Sequence, residues 1–404
     1  MATLTVGAGK AYTTIGAAVA AAQAGDTIMI NAGTYTAQDL ALTKNLTIES
    51  AGNGAVVVTD SGYVTKGLFI AGTSGNTPDI TIEGLTFKAA KATAGNGGNG
   101  AGIRYQNGNL TLINDTFMNN QEGILATPFT ADTGTIIVQG STFNHNGAAN
   151  GQEHNIYIGH IADFSINDSL VENAVVGHEI KTRAFNSEIT NNVIMDGPTG
   201  TSSYAIDVPN GGNAIIQGNT IEQGPKSENP WTIAYGEEGA LQPGSLTVAG
   251  NVILNDLSGG DGIWNDTSIS AMITGNETYG LTSAKFLKGP ATVMNDTTLA
   301  VEPKLTAAIP ANGPTMAFLG GSTGSAVVYA SDLDEIMPAP TSVAGINYEV
   351  ALGGTGTLTI SDFRVGTDSL QLAQGVSITS EAVSGGALNI SLSNSAEVIL
   401  PGAG

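Results

Sequence analysis

Residues 110–120 read LTLINDTFMNN, and the same pattern returns along the chain. It appears as ITIEGLTFKAA at 80–90, IIVQGSTFNHN at 136–146, FSINDSLVENA at 164–174, SEITNNVIMDG at 187–197, AIIQGNTIEQG at 214–224, LTVAGNVILND at 246–256 and AMITGNETYG at 271–280. Aligned on Phe87, Phe117, Phe143, Leu170, Ile194, Ile221, Ile253 and Thr278, the copies recur with a period of about 27 residues. A unit this short cannot bury its own apolar side, so the copies must stack as the coils of a solenoid. Asn192, Asn219, Asn251 and Asn276 stand two residues before their anchors. That predicts an asparagine column that occupies strained turn backbone and hydrogen-bonds from coil to coil.

A second strand recurs once per coil, as GIRYQ, GILAT, NIYIG, HEIKT, YAIDV, TIAYG and GIWND. Strand neighbours alternate faces, so with Ile103, Ile124, Ile156, Ile180, Ile206, Ile233 and Ile263 turned inward, the residue after each faces out. The outward column is Arg104, Leu125, Tyr157, Lys181, Asp207, Ala234 and Trp264. Coils stack about 4.8 Å apart, so Tyr157, Lys181 and Asp207 form one contiguous strip. Asn155 and Glu179 are expected beside it, His154 and His178 at the strand entrances, and Arg183 at the exit. Tyr235, Glu237 and Glu238 follow in the turn one coil beyond Asp207. The run His178-Glu179-Ile180-Lys181-Thr182-Arg183 is dense in a chain with only 13 Lys and Arg among 404 residues. All four histidines (His145, His154, His160, His178) lie close together in sequence and end at this run.

Composition agrees with an all-β chain of many short strands: 55 glycines, 12% charged residues and 5% aromatic residues. A formal net charge of −22 excludes the cationic footprint that nucleic acid or an anionic membrane requires. No stretch reaches transmembrane length, so no membrane insertion is expected. Cysteine is absent, which removes disulfides and thiolate metal sites. Oligomeric state leaves no signal in the sequence. The chain divides into repeats at 1–300, a proline-containing connector at 301–345 and a small C-terminal β module at 346–404.

KAYTTIGAAVAAAQAGDTIMINAGTY at 10–35 places a helix at about Ile15 to Gln23 behind a Thr cap. The stretch resembles the N-terminal helical cap of right-handed parallel β-helix proteins, whose open end must be covered. GHEIKTR at 177–183, YAIDVPNGG at 204–212 and YGEEG at 235–239 look like the motif set of pectate-lyase-like β-helix proteins. TISDFRVGTDSLQL at 359–372 is similar to the segment near the C-termini of bacterial proteins exported by type I systems. MATLTVGAGK has neither a basic nor an apolar signal region. The resemblance therefore implies an extracellular protein exported without an N-terminal signal peptide. No GGxGxDxUx nonapeptide precedes the segment, which speaks against a calcium roll.

The resemblance implies a polysaccharide-active enzyme, first of all a lyase that cleaves a uronic-acid polymer by β-elimination. Such chemistry needs a carboxylate clamp, a base and a proton donor. Arg183 suits the clamp and Lys181 the base, with His178 or Tyr157 as donor and His154 in reserve. Arg104, Tyr235, Glu237, Glu238 and Trp264 would line the substrate's path. Some β-helix alginate lyases hold calcium with Glu and Asn, which implies Glu179 and Asn155 as calcium ligands, although the Lys-containing motif here is spaced differently. The alternatives are a glycoside hydrolase of an acidic exopolysaccharide using Asp207 with Glu237 or Glu238, a C5 epimerase, and a non-catalytic glycan-binding adhesin. A bland reading also stands, in which Lys181 sits between Asp207 and Glu179 in a salt-bridge ladder.

Overall fold

The computed structural model describes residues 1–309 apart from 61, 128–132 and 241, the strands beyond 309, and the hairpin at 377–393. The chain forms two units, Met1–Pro310 and Ala311–Gly404. In the first, three parallel sheets of 12, 11 and 10 strands run the length of a right-handed parallel β-helix. Each coil supplies one strand to each sheet in turn. Asn186–Thr190, Val193–Met195 and Ile206–Val208 make one coil, and Gly211–Gln217, Thr220–Gln223 and Trp231–Tyr235 the next. The repeats quoted above form the first and second sheets; the isoleucine-centred strands form the third.

Helix Ile15–Ala21 covers the N-terminal end, with Thr14 accepting from the Ala17 N–H. Its Ile15, Ala18 and Val19 are buried on the first coils. Lys44 Nζ closes the helix by donating to the carbonyls of Val19 and Ala22 at 3.1 and 2.7 Å. Among the described residues no helix is long and apolar enough to cross a membrane.

The core is a set of columns. Phe87, Phe117 and Phe143 pair in register, and their rings stack at 5.0 and 4.7 Å between centroids. Each fully buried ring contributes roughly 1.5–3 kcal/mol. Glycine opposite them is obligatory, since a Cβ on Gly102 would stand 2.8 Å from the Phe117 ring. In the next coil the anchor is Val171, which pairs with Phe143 and Ile194; Leu170, expected there, lies one residue to the side. The asparagine column is continuous: Asn192 donates to Asn219 Oδ1, Asn219 to Asn251 and Asn251 to Asn276. Ser169 extends it at one end and Asp296 at the other. The left-handed backbone expected of these residues falls one position earlier, at Asn191, Gly218, Gly250 and Gly275. The column residues keep ordinary backbone and satisfy the turns of the coils beside them.

In the second unit, Ala317–Leu319, Ser325–Tyr329, Asn347–Ala351 and Ser369–Leu372 form a four-stranded sheet. Glu335–Met337, Thr357–Ile360, Glu397–Pro401, Ala387–Leu392 and Ile378–Ser384 form a five-stranded one. Strands therefore begin inside 301–345, which was expected to be a connector. The centre of the export-like segment, 361–368, lies outside the described residues.

Candidate active site

The third sheet carries the site. Its register brings the outward column together as expected: Arg104 pairs with Leu125, Leu125 with Tyr157, Tyr157 with Lys181, Lys181 with Asp207, Asp207 with Ala234 and Ala234 with Trp264. Asp207 is fully buried, and Lys181 Nζ stands 2.7 Å from its Oδ2. Glu238 reaches back from the turn after Trp231–Tyr235 and bridges two cations, with Oε1 2.9 Å from Lys181 Nζ and Oε2 2.6 Å from Arg183 Nη2. Arg183 is fixed on its other side by donating to Tyr157 Oη at 2.9 Å and to Asn210 Oδ1. Lys181 is thus gripped by Asp207 and Glu238, and the Glu179 of the ladder reading is not its partner.

One oxygen each of Asp207, Glu237 and Glu238 lie within 4.8 Å of one another. Asp207 Oδ2 faces the Lys181 ammonium, and Asp207 Oδ1 and Glu237 Oε2 are buried atoms beside it. Two carboxyl groups facing each other out of water require a proton between them. Burial first, then the Asp207 charge and its hydrogen bond, push Glu237 up to about 8, so Glu237 carries that proton. Burial also raises Asp207, against the pull of the Lys181 ammonium. Glu238 goes the other way: burial would raise it, but its bonds to Lys181 and Arg183 outweigh that and hold it below the usual carboxylate range. Two neighbouring carboxyl groups, Glu237 raised and Glu238 lowered, are thus pushed apart in proton affinity.

Several expectations are corrected by the structure. Lys181, expected as a base, is an ion-paired cation: its Nζ is held by Asp207 and Glu238 at 2.7 and 2.9 Å, and against burial, which would lower its pKa, these pairs raise it. His178 and His154, expected as proton donors, are both buried. Burial, with help from Lys181 and Arg183, pushes His154 down to about 3 and His178 well below its ordinary value. His154 Nδ1 accepts the His178 backbone N–H at 2.9 Å and lies 2.9 Å from His178 Nδ1. His178 Nε2 lies 3.4 Å from Asp207 Oδ2. Glu179 and Asn155 are fully buried and bonded to each other, with Glu179 also accepting from the Ala174 N–H. They close a corner of the coil, and the oxygens expected to bind calcium are engaged within the protein. Face alternation fails for them because the strands begin only at Ile156 and Ile180, and the chain before these is still turning the corner.

Tyr235 is a core residue whose hydroxyl donates to the Gly212 carbonyl at 2.6 Å. Arg104 is on the column but separated from Tyr157 by Leu125, beside Glu122. His145 sits at an exposed left-handed turn after Thr142–Asn144, outside the cluster. Two contributors escaped the sequence reading. Asn210 orients Arg183, and Tyr204 stacks on His178 at 5.2 Å. Both lie within the YAIDVPNGG motif, but their roles depend on side-chain direction.

No family model and no curated protein matches the chain. Among solved structures, Geobacillus virus E2 ORF18 aligns with a TM-score of 0.48 at 13% identity, covering 70% of this chain and 56% of that one. The chain thus spans little more than half the length of ORF18. The pectate lyase Pel9A aligns with a TM-score of 0.43 at 14% identity over 73% of this chain and 78% of that one. A pectin methylesterase from Aspergillus niger gives 0.39 at 12% over 76% and 93%. The likeness is to the winding of the backbone.

Proposed function

We propose that this protein is a glycoside hydrolase that cuts an acidic polysaccharide laid along the third sheet. One observation carries the reading: Glu237, an acid that keeps its proton up to about 8, stands within 4.8 Å of ionised Glu238 on the same turn. Glycosidic cleavage needs that division of labour, one carboxylic acid to protonate the departing oxygen and one carboxylate to act at the anomeric carbon. Retaining enzymes hold the two groups about 5 Å apart and inverting ones about 6.5–9.5 Å, and an approach within 4.8 Å favours the retaining course. Glu237 is the acid. Glu238, with a side chain 45% exposed, is the nucleophile. Burial and the Asp207 charge keep Glu237 protonated, while Lys181 and Arg183 keep Glu238 ionised and hold it in place. Elimination is disfavoured because its base would be Lys181, held as an ammonium ion.

Calcium, which the sequence resemblance implied, does not fit. Lys181 Nζ already lies between Asp207 and Glu238, where a cation would sit. A polysaccharide substrate lies outside the cell, and we place the protein there.

The test is incubation with uronic-acid polymers and bacterial exopolysaccharides, with and without chelator. Hydrolysis produces new reducing ends without the ultraviolet absorbance of unsaturated uronates, and Glu237→Gln and Glu238→Gln each remove the activity. Growth of that absorbance would mean elimination, changed sugar composition at constant length would mean epimerisation, and retention without fragments would mean a binding protein.

A further inference from the structure

The third sheet continues past Asp207 to a feature that the cleavage site does not use. The chain has two tryptophans, Trp231 and Trp264, and both stand on this sheet, with ring centroids 5.8 Å apart. Trp264 is in the outward column two coils beyond Asp207, roughly 10 Å along the stack at about 4.8 Å per coil. Ala234, between them, has the smallest side chain of the column and is fully buried. Lys288 follows in the next coil, and its Nζ lies 4.1 Å from the Trp264 ring centroid and 5.8 Å from that of Trp231.

The charges around this platform are already matched. Lys181 and Arg183 are neutralised by Asp207 and Glu238, and Lys285 by Asp261 at 3.3 Å. Asp266 accepts from the Trp264 indole N–H at 3.2 Å. Lys288 is different: it is exposed, and among the described residues no carboxylate lies within ion-pair distance of it. Its partners are two aromatic faces, which hold a cation only weakly at an exposed site. A carboxylate can take the ammonium away at small cost, and a pyranose ring can then occupy the uncovered indole faces with its C–H side.

We propose that Trp231, Trp264 and Lys288 form a binding subsite for a hexuronate residue. It stacks the sugar on the indoles and pairs its carboxylate with Lys288, about two sugar units from the cleavage carboxyls. This deepens the hydrolase reading and rests on it for the direction in which the substrate runs.

The two tryptophans are also the only ones in the chain, so intrinsic fluorescence reports on this platform directly. The full-length protein is titrated with an oligouronate and with a neutral oligosaccharide of equal length, and the apparent Kd is read from the fluorescence. The expected result is a saturable change with the oligouronate and at least about tenfold weaker binding in Lys288→Gln, which is about 1.4 kcal/mol. Trp264→Ala should weaken binding similarly with an unchanged circular dichroism spectrum and thermal midpoint, since it truncates an outward side chain. Trp231→Phe assigns the signal. An equal response to the neutral sugar, unchanged affinity in Lys288→Gln, or fragments without any fluorescence response would overturn the proposal. A fluorescence response without fragments leaves the subsite standing and removes the hydrolase reading instead.

Discussion

Replacing Lys181 by Met removes the charge that compensates a completely buried carboxylate while conserving most of the side chain's volume. Lys181 Nζ lies 2.7 Å from Asp207 Oδ2, and the side chain of Asp207 has no exposed surface. Removing one partner of a buried ion pair costs about 3–5 kcal/mol, because the other charge stays behind in a poor solvent. The pairing with Glu238 adds little, since that side chain is 45% exposed and water screens it. About 3 kcal/mol is therefore expected near pH 8. The variant can relieve the penalty by protonating Asp207, whose folded pKa then rises further above its unfolded value. Stability tied to a raised pKa is full below the unfolded pKa and is lost as pH rises through the folded one. The penalty should accordingly shrink toward about pH 5. Urea unfolding followed by tryptophan fluorescence suits the measurement, because Trp231 and Trp264 lie one and two coils from Asp207 and solenoid coils report on their neighbours. Adding Asp207→Asn to Lys181→Met should restore most of the loss. A cost below about 1 kcal/mol near pH 8, or one that does not change with pH, would refute the assignment of Lys181 as counter-ion to a buried charge.

Thermal midpoints measured between about pH 6.5 and 8 should fall as pH rises. Burial raises Asp115 and Glu237 to about 8 and Glu222 to about 7, so the folded state holds protons that the unfolded chain has released. The lowered pKa values of His154 and His178 act only below about 6.5, where the unfolded rings begin to protonate. An unchanged or rising midpoint across that window would contradict the burial of these carboxyls. Asn219→Ala breaks bonds to Asn192, Asn251 and the Ile189 carbonyl together, with an expected loss of about 2–3 kcal/mol in urea unfolding. On the hydrolase reading, kcat should decline as pH rises through about 8 and Glu237 loses its proton. A profile flat to higher pH would assign the acid to another group.

The fold was legible in the sequence because a solenoid is a local code. Residues stacked on one another occupy equivalent places in consecutive repeats, so the spacing of Phe87, Phe117 and Phe143, or of Ile156, Ile180 and Ile206, already states which side chains touch. The one-residue slip at Val171 arose because Leu170 and Val171 are equally apolar, and only strand pairing distinguishes them. The outward strip was legible for the same reason. What each group on it does was decided by tertiary structure, since protonation depends on burial and on which charge lies within reach. Lys181 looked like a base until Glu238, 57 positions away, turned back onto it. Glu179 and Asn155 looked like surface ligands until the corner of the coil carried them inside. Periodicity fixes the direction of a side chain within a strand, but it says nothing about turns, and it is from a turn that Glu237 and Glu238 meet Asp207.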